Sequence, residues 1–174
     1  MNCTSGLRKF ACVALVSMAT LTFAQSVSNV DKKFVKEALE GGNAEINLGK
    51  LAQQKGKSDE VKQFGQKMVA DHTRMAEHMR EVAQKIGVNP PTGTSMSDKA
   101  LYEKLNLFSG DDFDKAYVKA MIKDHQDDLN AFQQEETNGT SMSVKKAAKD
   151  GAETISSHLE LIKKIAADHQ IALM

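Results

Sequence analysis

The sequence predicts an all-α protein, an up-down-up-down bundle of four long helices with a short extra helix in the second connection. Three observations carry this. Apolar residues recur at three- and four-residue spacing in four stretches of roughly 25 to 30 residues. No stretch alternates polar and apolar residues as a half-buried strand does. The breaks between stretches hold the Gly, Pro, Asn and Ser that stop helices, and two of the breaks are short enough to lay consecutive helices antiparallel.

The chain opens with a segment that does not belong to the bundle. Met1 to Ala24 reads as a secretory signal: Arg8 and Lys9 give the positive start, Phe10 to Leu21 the apolar stretch, and Thr22-Phe23-Ala24 a cleavage site before Gln25. Both cysteines, Cys3 and Cys12, lie within it, so the mature chain has no thiol chemistry and no disulfide. Removing it leaves 174 − 24 = 150 residues, enough for one domain, residues 25–174, with a core of its own. The protein is expected to be exported, with the periplasm the first destination.

Ser28 or Asn29 caps the first helix, Asp31 sits in its first turn, and Phe34, Val35, Ala38, Glu45, Ile46, Gly49 and Ala52 share one face. Lys55-Gly56 supplies a cation and a left-handed stop. Ser58, Asp59 and Glu60 open the second helix, which turns Val61, Phe64, Met68, His72, Met75, Met79, Val82 and Ile86 inward and stops at Gly87. Pro90-Pro91 and Gly93 mark a connection, followed by a short helix from Asp98 to Leu107. Ser109 or Asp111 starts the third long helix, with Val118, Met121, Ile122, His125, Leu129 and Phe132 on one side, Tyr117 beside them, and a stop at Asn138-Gly139. Ser143 caps the fourth, which carries Val144, Ala148, Ile155, His158, Leu159, Ile162 and Ile165 inward.

Four inward positions are polar: Glu45, His72, His125 and His158, one on each long helix. A carboxyl or imidazole placed inside must find a hydrogen bond, a proton, a water or a metal. Counting from the turn of each hairpin at ~1.5 Å per residue puts Glu45 roughly 17 Å along the bundle, His72 roughly 23, His125 roughly 22 and His158 roughly 27. His72 and His125 are therefore expected in one layer, with Glu45 a turn below and His158 a turn above. Three imidazoles, or two with a carboxylate, suit Zn²⁺, Cu²⁺ or Fe²⁺. Asp71, Asp124, Met68 and Met121 are candidate additional ligands or supports of the ligands, and Asp71-His72 and Asp124-His125 repeat the same local motif. Met68, Met75 and Met79 share the His72 face, a soft set that copper(I) favours and that also serves as ordinary core filling.

The same groups describe a hydrogen-bonded layer that fixes helix register, or a metalloenzyme in which Tyr117 or Asp124 handles protons. A non-enzymatic metal-binding bundle is the leading reading. With the two signal cations removed, 21 basic residues face 23 acidic ones, and no basic stripe points to nucleic acid. Beyond the signal no segment approaches the ~20 consecutive apolar residues of a membrane span. A protein partner or homo-oligomer remains open.

The run Phe34-x-x-Glu37-Ala38-x-x-Gly41-Gly42-x-Ala44-Glu45-x-x-x-Gly49-Lys50-Leu51-Ala52 resembles a family of exported bacterial proteins, the domain-of-unknown-function 4142 family. The match continues through Val61-Lys62-x-Phe64-x-x-Lys67-Met68-Val69-x-Asp71-His72, Phe113-Asp114-x-Ala116-Tyr117-x-Lys119-x-Met121-Ile122-x-Asp124-His125 and His158-Leu159. The resemblance implies a ferritin-like four-helix bundle outside the cytoplasm and no particular activity. Di-iron chemistry does not come with it: that centre needs Glu-x-x-His on two helices, and the residues three before the five histidines are Val69, Met75, Ile122, Ile155 and Ala166.

Overall fold

The structure, a computed structural model, describes residues 27–173; the expected signal segment, Met1 to Ala24, lies outside them. Five helices make up the fold: α1 (Asn29–Lys55), α2 (Asp59–Lys85), α3 (Met96–Asn106), α4 (Gly110–Asn138) and α5 (Met142–Asp168). Among the described residues no strand occurs and no helix is long and apolar enough to cross a membrane.

The helix starts follow from capping chemistry. The Ser28 hydroxyl accepts the Asp31 N–H at 3.0 Å, the Ser58 hydroxyl accepts that of Val61 at 3.2 Å, and Ser95 forms a reciprocal capping box with Asp98. The box starts α3 at Met96, two residues before the expected Asp98. Ser143 does not cap α5: the helix begins at Met142 after Ser141, and the Ser141 backbone N–H is held instead by Asp31 at 2.7 Å. Gly56 and Gly139 stop their helices without the expected left-handed turn, each with φ of −56°. A side chain is excluded there by space, since a Cβ would lie 2.6 Å from the Ala52 carbonyl oxygen and 2.7 Å from that of Glu135.

Two carboxylates fix the helix directions. Asp31, at the start of α1, accepts from the Thr140 and Ser141 N–H groups at 3.1 and 2.7 Å; Asp114, near the start of α4, accepts from those of Lys57 and Ser58 at 2.9 and 2.8 Å. Each hairpin thus ties down the turn of the other, and α4 runs back along α1. The expected alternation of direction is realised around the bundle, in the circular order α1, α2, α5, α4, with every long helix antiparallel to both neighbours. Along the chain the directions read up, down, down, up. The reason is the second connection, which climbs α1 instead of turning back at once: Asn43 donates to the Gly93 carbonyl at 3.0 Å, and Lys55, the last residue of α1, donates to that of Asn106.

The two hairpins are equivalent halves. Asp59 and Lys85 bound α2, and Met142 and Asp168 bound α5, an offset of 83 residues at both ends (142 − 59 = 168 − 85 = 83). The same offset relates Asp31 to Asp114, Gly56 to Gly139 and Ser58 to Ser141. Gly87 and Gln170, also so related, both take positive φ after their helices, 72° and 53°.

The core is divided along its length. One apolar half gathers Leu48, Leu51, Phe64, Met68, Phe113, Tyr117, Met121 and Ile162, and the other Val35, Leu39, Met79, Val82, Val144, Ile155 and Phe132. Tyr117 is fully buried, not beside the stripe, and Leu39, Leu48 and Leu51 join the α1 face. Between the halves lies a layer of polar groups.

Candidate metal centre

Glu45 of α1, His72 of α2, His125 of α4 and His158 of α5 all point into this layer, with 3, 1, 0 and 0 % of their surface exposed. The Nδ1 of His72 lies 2.7 Å from Glu45 Oε2, and its Nε2 lies 3.3 Å from His158 Nδ1. The His158 Nε2 in turn meets Asp71 Oδ2 at 2.8 Å. His125 Nε2 stands 3.6 Å from Glu45 Oε1, and neither atom has a hydrogen-bond partner. The three imidazole rings are 5.2 to 5.8 Å apart between centroids, and each offers a nitrogen within 4.8 Å of the other two.

His72 and His125 share a layer as expected. Glu45 and His158, expected a turn below and a turn above, join the same layer. The heights assumed both turns at one level; the caps made by Asp31 and Asp114 set the turns at opposite ends of the bundle, so the two counts run toward each other.

Burial holds all three imidazoles neutral. It pushes His72 and His158 down to about 4 and His125 to about 3, despite the acidic neighbours of the first two. Burial also drives the Glu45 carboxyl well above its usual range, reinforced by Asp124 and Asp98. The contacts then allow two proton arrangements. In the first, protonated Glu45 donates to His72 Nδ1, His72 Nε2 donates to His158 Nδ1, and His158 Nε2 donates to Asp71. In the second, ionised Glu45 accepts from His72 Nδ1, and the inner nitrogens of His72 and His158 face each other as two bare lone pairs. Two nitrogens bound to one tetrahedral ion at ~2.0–2.1 Å lie ~3.3–3.4 Å apart, which is the spacing already present. The outer carboxylates orient the rings, as carboxylates behind metal-bound histidines do.

The remaining candidates take different places. Asp71 closes the chain at the edge, held by Lys67 at 2.8 Å and by Arg74. Asp124 approaches Glu45 and His125, each of the three offering an atom within 4.8 Å of the others, and burial raises it to about 6. Met68 and Met121 are fully buried in the Phe64 half of the core. His78 and His169 are exposed.

Asp128 is the group that the sequence reading missed. Burial, with Glu45 and Asp124 nearby, raises its carboxyl to about 9. The 83-residue offset would have found it, because it makes Asp128 the counterpart of Glu45.

Comparison with known proteins agrees with this architecture. The profile of the Domain of unknown function (DUF4142) matches residues 17–165. No curated protein matches the chain. Among solved structures, a DUF305 fragment from Deinococcus radiodurans has a TM-score of 0.72 at 12% identity, covering 83% of this chain and 99% of that one. A DUF305 protein from Streptomyces coelicolor has a TM-score of 0.70 at 13% identity, over 83% and 96% of the two chains. CopM in its Cu(I)-bound form has a TM-score of 0.66 at 18% identity, over 79% and 96%.

Proposed function

The chain belongs to the DUF4142 family, and from that premise we propose that it is an exported bundle protein, mature from Gln25, that binds one transition-metal ion, copper, zinc or iron, through His72, His125, His158 and Glu45. The observation that carries this reading is the arrangement of proton partners. Carboxylates hold the outer nitrogens of His72 and His158, and the inner pair faces itself at 3.3 Å, with His125 Nε2 unpartnered beside it. A layer built only for hydrogen bonding would not leave a buried imidazole nitrogen and a buried carboxylate oxygen without partners, at a cost of ~1–3 kcal/mol each. The likeness to CopM, solved with Cu(I) bound, supports the same reading.

The role is binding. Asp71, supported by Lys67 and Arg74, orients His158; Glu45 orients His72 and neutralises part of the ion's charge. Elemental analysis of untagged mature protein, beside a His72→Ala/His125→Ala double variant, tests the assignment. Wild type should carry close to one ion per chain and the variant none. Equal metal content in the two proteins would remove the proposal.

A further inference from the structure

The histidine layer is buried, so an ion needs a path to it. One segment of α1 is built in a way that packing does not explain. Gly41 and Gly42 lie mid-helix, where each costs about 1 kcal/mol relative to alanine. Elsewhere on this hairpin glycines answer to contact: a Cβ on Gly65 would lie 2.6 Å from the Gly49 carbonyl oxygen. A Cβ on Gly41 or Gly42 would meet no heavy atom within 4 Å.

What lies beside them is a cavity of about 270 Å³ between α1, α2, α4 and α5. Its rim includes the exposed Glu37, Asp127 and Ala131, and its inner lining includes the buried Glu45 and His72. It therefore joins the surface to the site. Its acidic rim favours cations, no lysine or arginine lines it, and its wall carries the thioethers of Met75 and Met79. The hairpin repeat adds an independent point. By the 83-residue offset Gly42 is the counterpart of His125, and Met75 that of His158. The positions that hold ligands in the second hairpin hold an empty space and a sulfur in the first.

We propose that this cavity is the port by which Cu(I) reaches the histidine layer, with the Met75 sulfur as the ion's first protein ligand on the way. The inference rests on the metal-binding reading and narrows it to a soft monovalent ion. Thioether sulfur and neutral imidazole suit Cu(I), whereas carboxylate and water suit harder divalent ions. The glycine pair keeps the port open.

The test follows loading of the mature protein under anaerobic conditions, with Cu(I) supplied as its coloured bicinchoninate complex and with Zn²⁺ in a parallel series. Met75→Leu keeps the side-chain volume and removes the sulfur; Gly42→Leu fills the space. Met75→Leu should slow Cu(I) uptake several-fold and leave Zn²⁺ uptake unchanged. Gly42→Leu should slow both ions without lowering the final stoichiometry. Wild-type rates in both variants, or equal slowing of both ions by Met75→Leu, would overturn the port while leaving the histidine site in place. Failure of the wild type to take either ion would overturn both readings. Thermal melts of the metal-free variants, unchanged for Met75→Leu, separate slow loading from misfolding.

Discussion

Replacing His125 by leucine separates a metal site from a structural layer. In the metal-free protein His125 is neutral at pH 7.5, since burial sets its pKa at about 3, and its Nε2 has no hydrogen-bond partner. Leucine of similar bulk removes that buried nitrogen and with it a penalty of ~1–3 kcal/mol, less some repacking. The metal-free variant should therefore be more stable by about 1–2 kcal/mol, raising Tm by roughly 2–4 °C per kcal/mol for a domain of this size. Saturating metal should reverse the order. Wild type gains ~4 kcal/mol when the free ion exceeds Kd a thousandfold, and the variant, short of a ligand, gains much less. Urea unfolding with chelator, then with excess ion, measures both differences. A metal-free variant that is less stable than wild type by about 1 kcal/mol or more would refute the reasoning, since it would mean that His125 belongs to a satisfied network.

Other outcomes follow from the same layer and from the helix packing. Loading metal should expel the proton that runs between Glu45, His72 and His158, about one per ion below the raised Glu45 pKa and falling toward none above it; calorimetry in buffers of different ionisation enthalpy counts it, and no release at any pH would contradict the proton chain. Asp128 has a folded pKa of about 9 against an ordinary 3.8, so the folded state holds an extra proton between those values and its stability falls as pH rises through that window. Asp128→Asn abolishes the fall, so its stability advantage should widen from pH 5 to pH 8 by at most ~1.4 kcal/mol per unit; parallel denaturation curves at the two pH values would sink this. Gly65→Ala should cost ~1–3 kcal/mol by overpacking, because its Cβ would lie 2.6 Å from the Gly49 carbonyl oxygen and 2.9 Å from the Ala52 Cβ. Gly41→Ala, with nothing in reach, should gain ~0.5–1 kcal/mol through helix propensity; denaturant midpoints that rank the two substitutions the other way would undo the packing argument.

The helices were legible because their signals are local. Ser28 and Ser58 sit where capping demands, and the apolar period marks each buried face. The inward set of Glu45, His72, His125 and His158 was legible for the same reason, since a polar residue in an apolar stripe is visible from spacing alone. How the two hairpins dock was not, because it depends on Asp31 and Asp114 reaching across to the other hairpin's turn, contacts more than 50 residues apart in sequence. Asp128 was hidden by its charge and by exposed Asp127 beside it: it lies at the edge of the apolar stripe of α4, next to what reads as a solvated face. The repeats that drew attention, Asp71-His72 against Asp124-His125, are not structural equivalents, since the offset that relates the hairpins pairs His72 with Ile155.

That offset bears on what the polar layer is for. The two hairpins keep the same residue at their caps and turns and at two core positions: Asp31 and Asp114 at the caps, Val35 and Val118 in the core, Gly56 and Gly139 at the turns, Ser58 and Ser141 before the second helices, Val61 and Val144 one turn on. A layer whose purpose was to set helix register would be under the same two-fold constraint, because both hairpins present the same register problem to each other. The layer breaks the rule at nearly every position: His72 faces a counterpart Ile155, His125 a counterpart Gly42, and His158 a counterpart Met75, and only Glu45 and Asp128 remain alike. Core positions diverge as well, Phe64 against Ala147 and Leu51 against Gln134, but none of the three imidazoles has an imidazole counterpart, which suits a site with one occupant and one direction of approach. The second hairpin's His125 and His158 answer to the open space beside Gly42 and the Met75 sulfur in the first, and His72 lines both the cavity and the site.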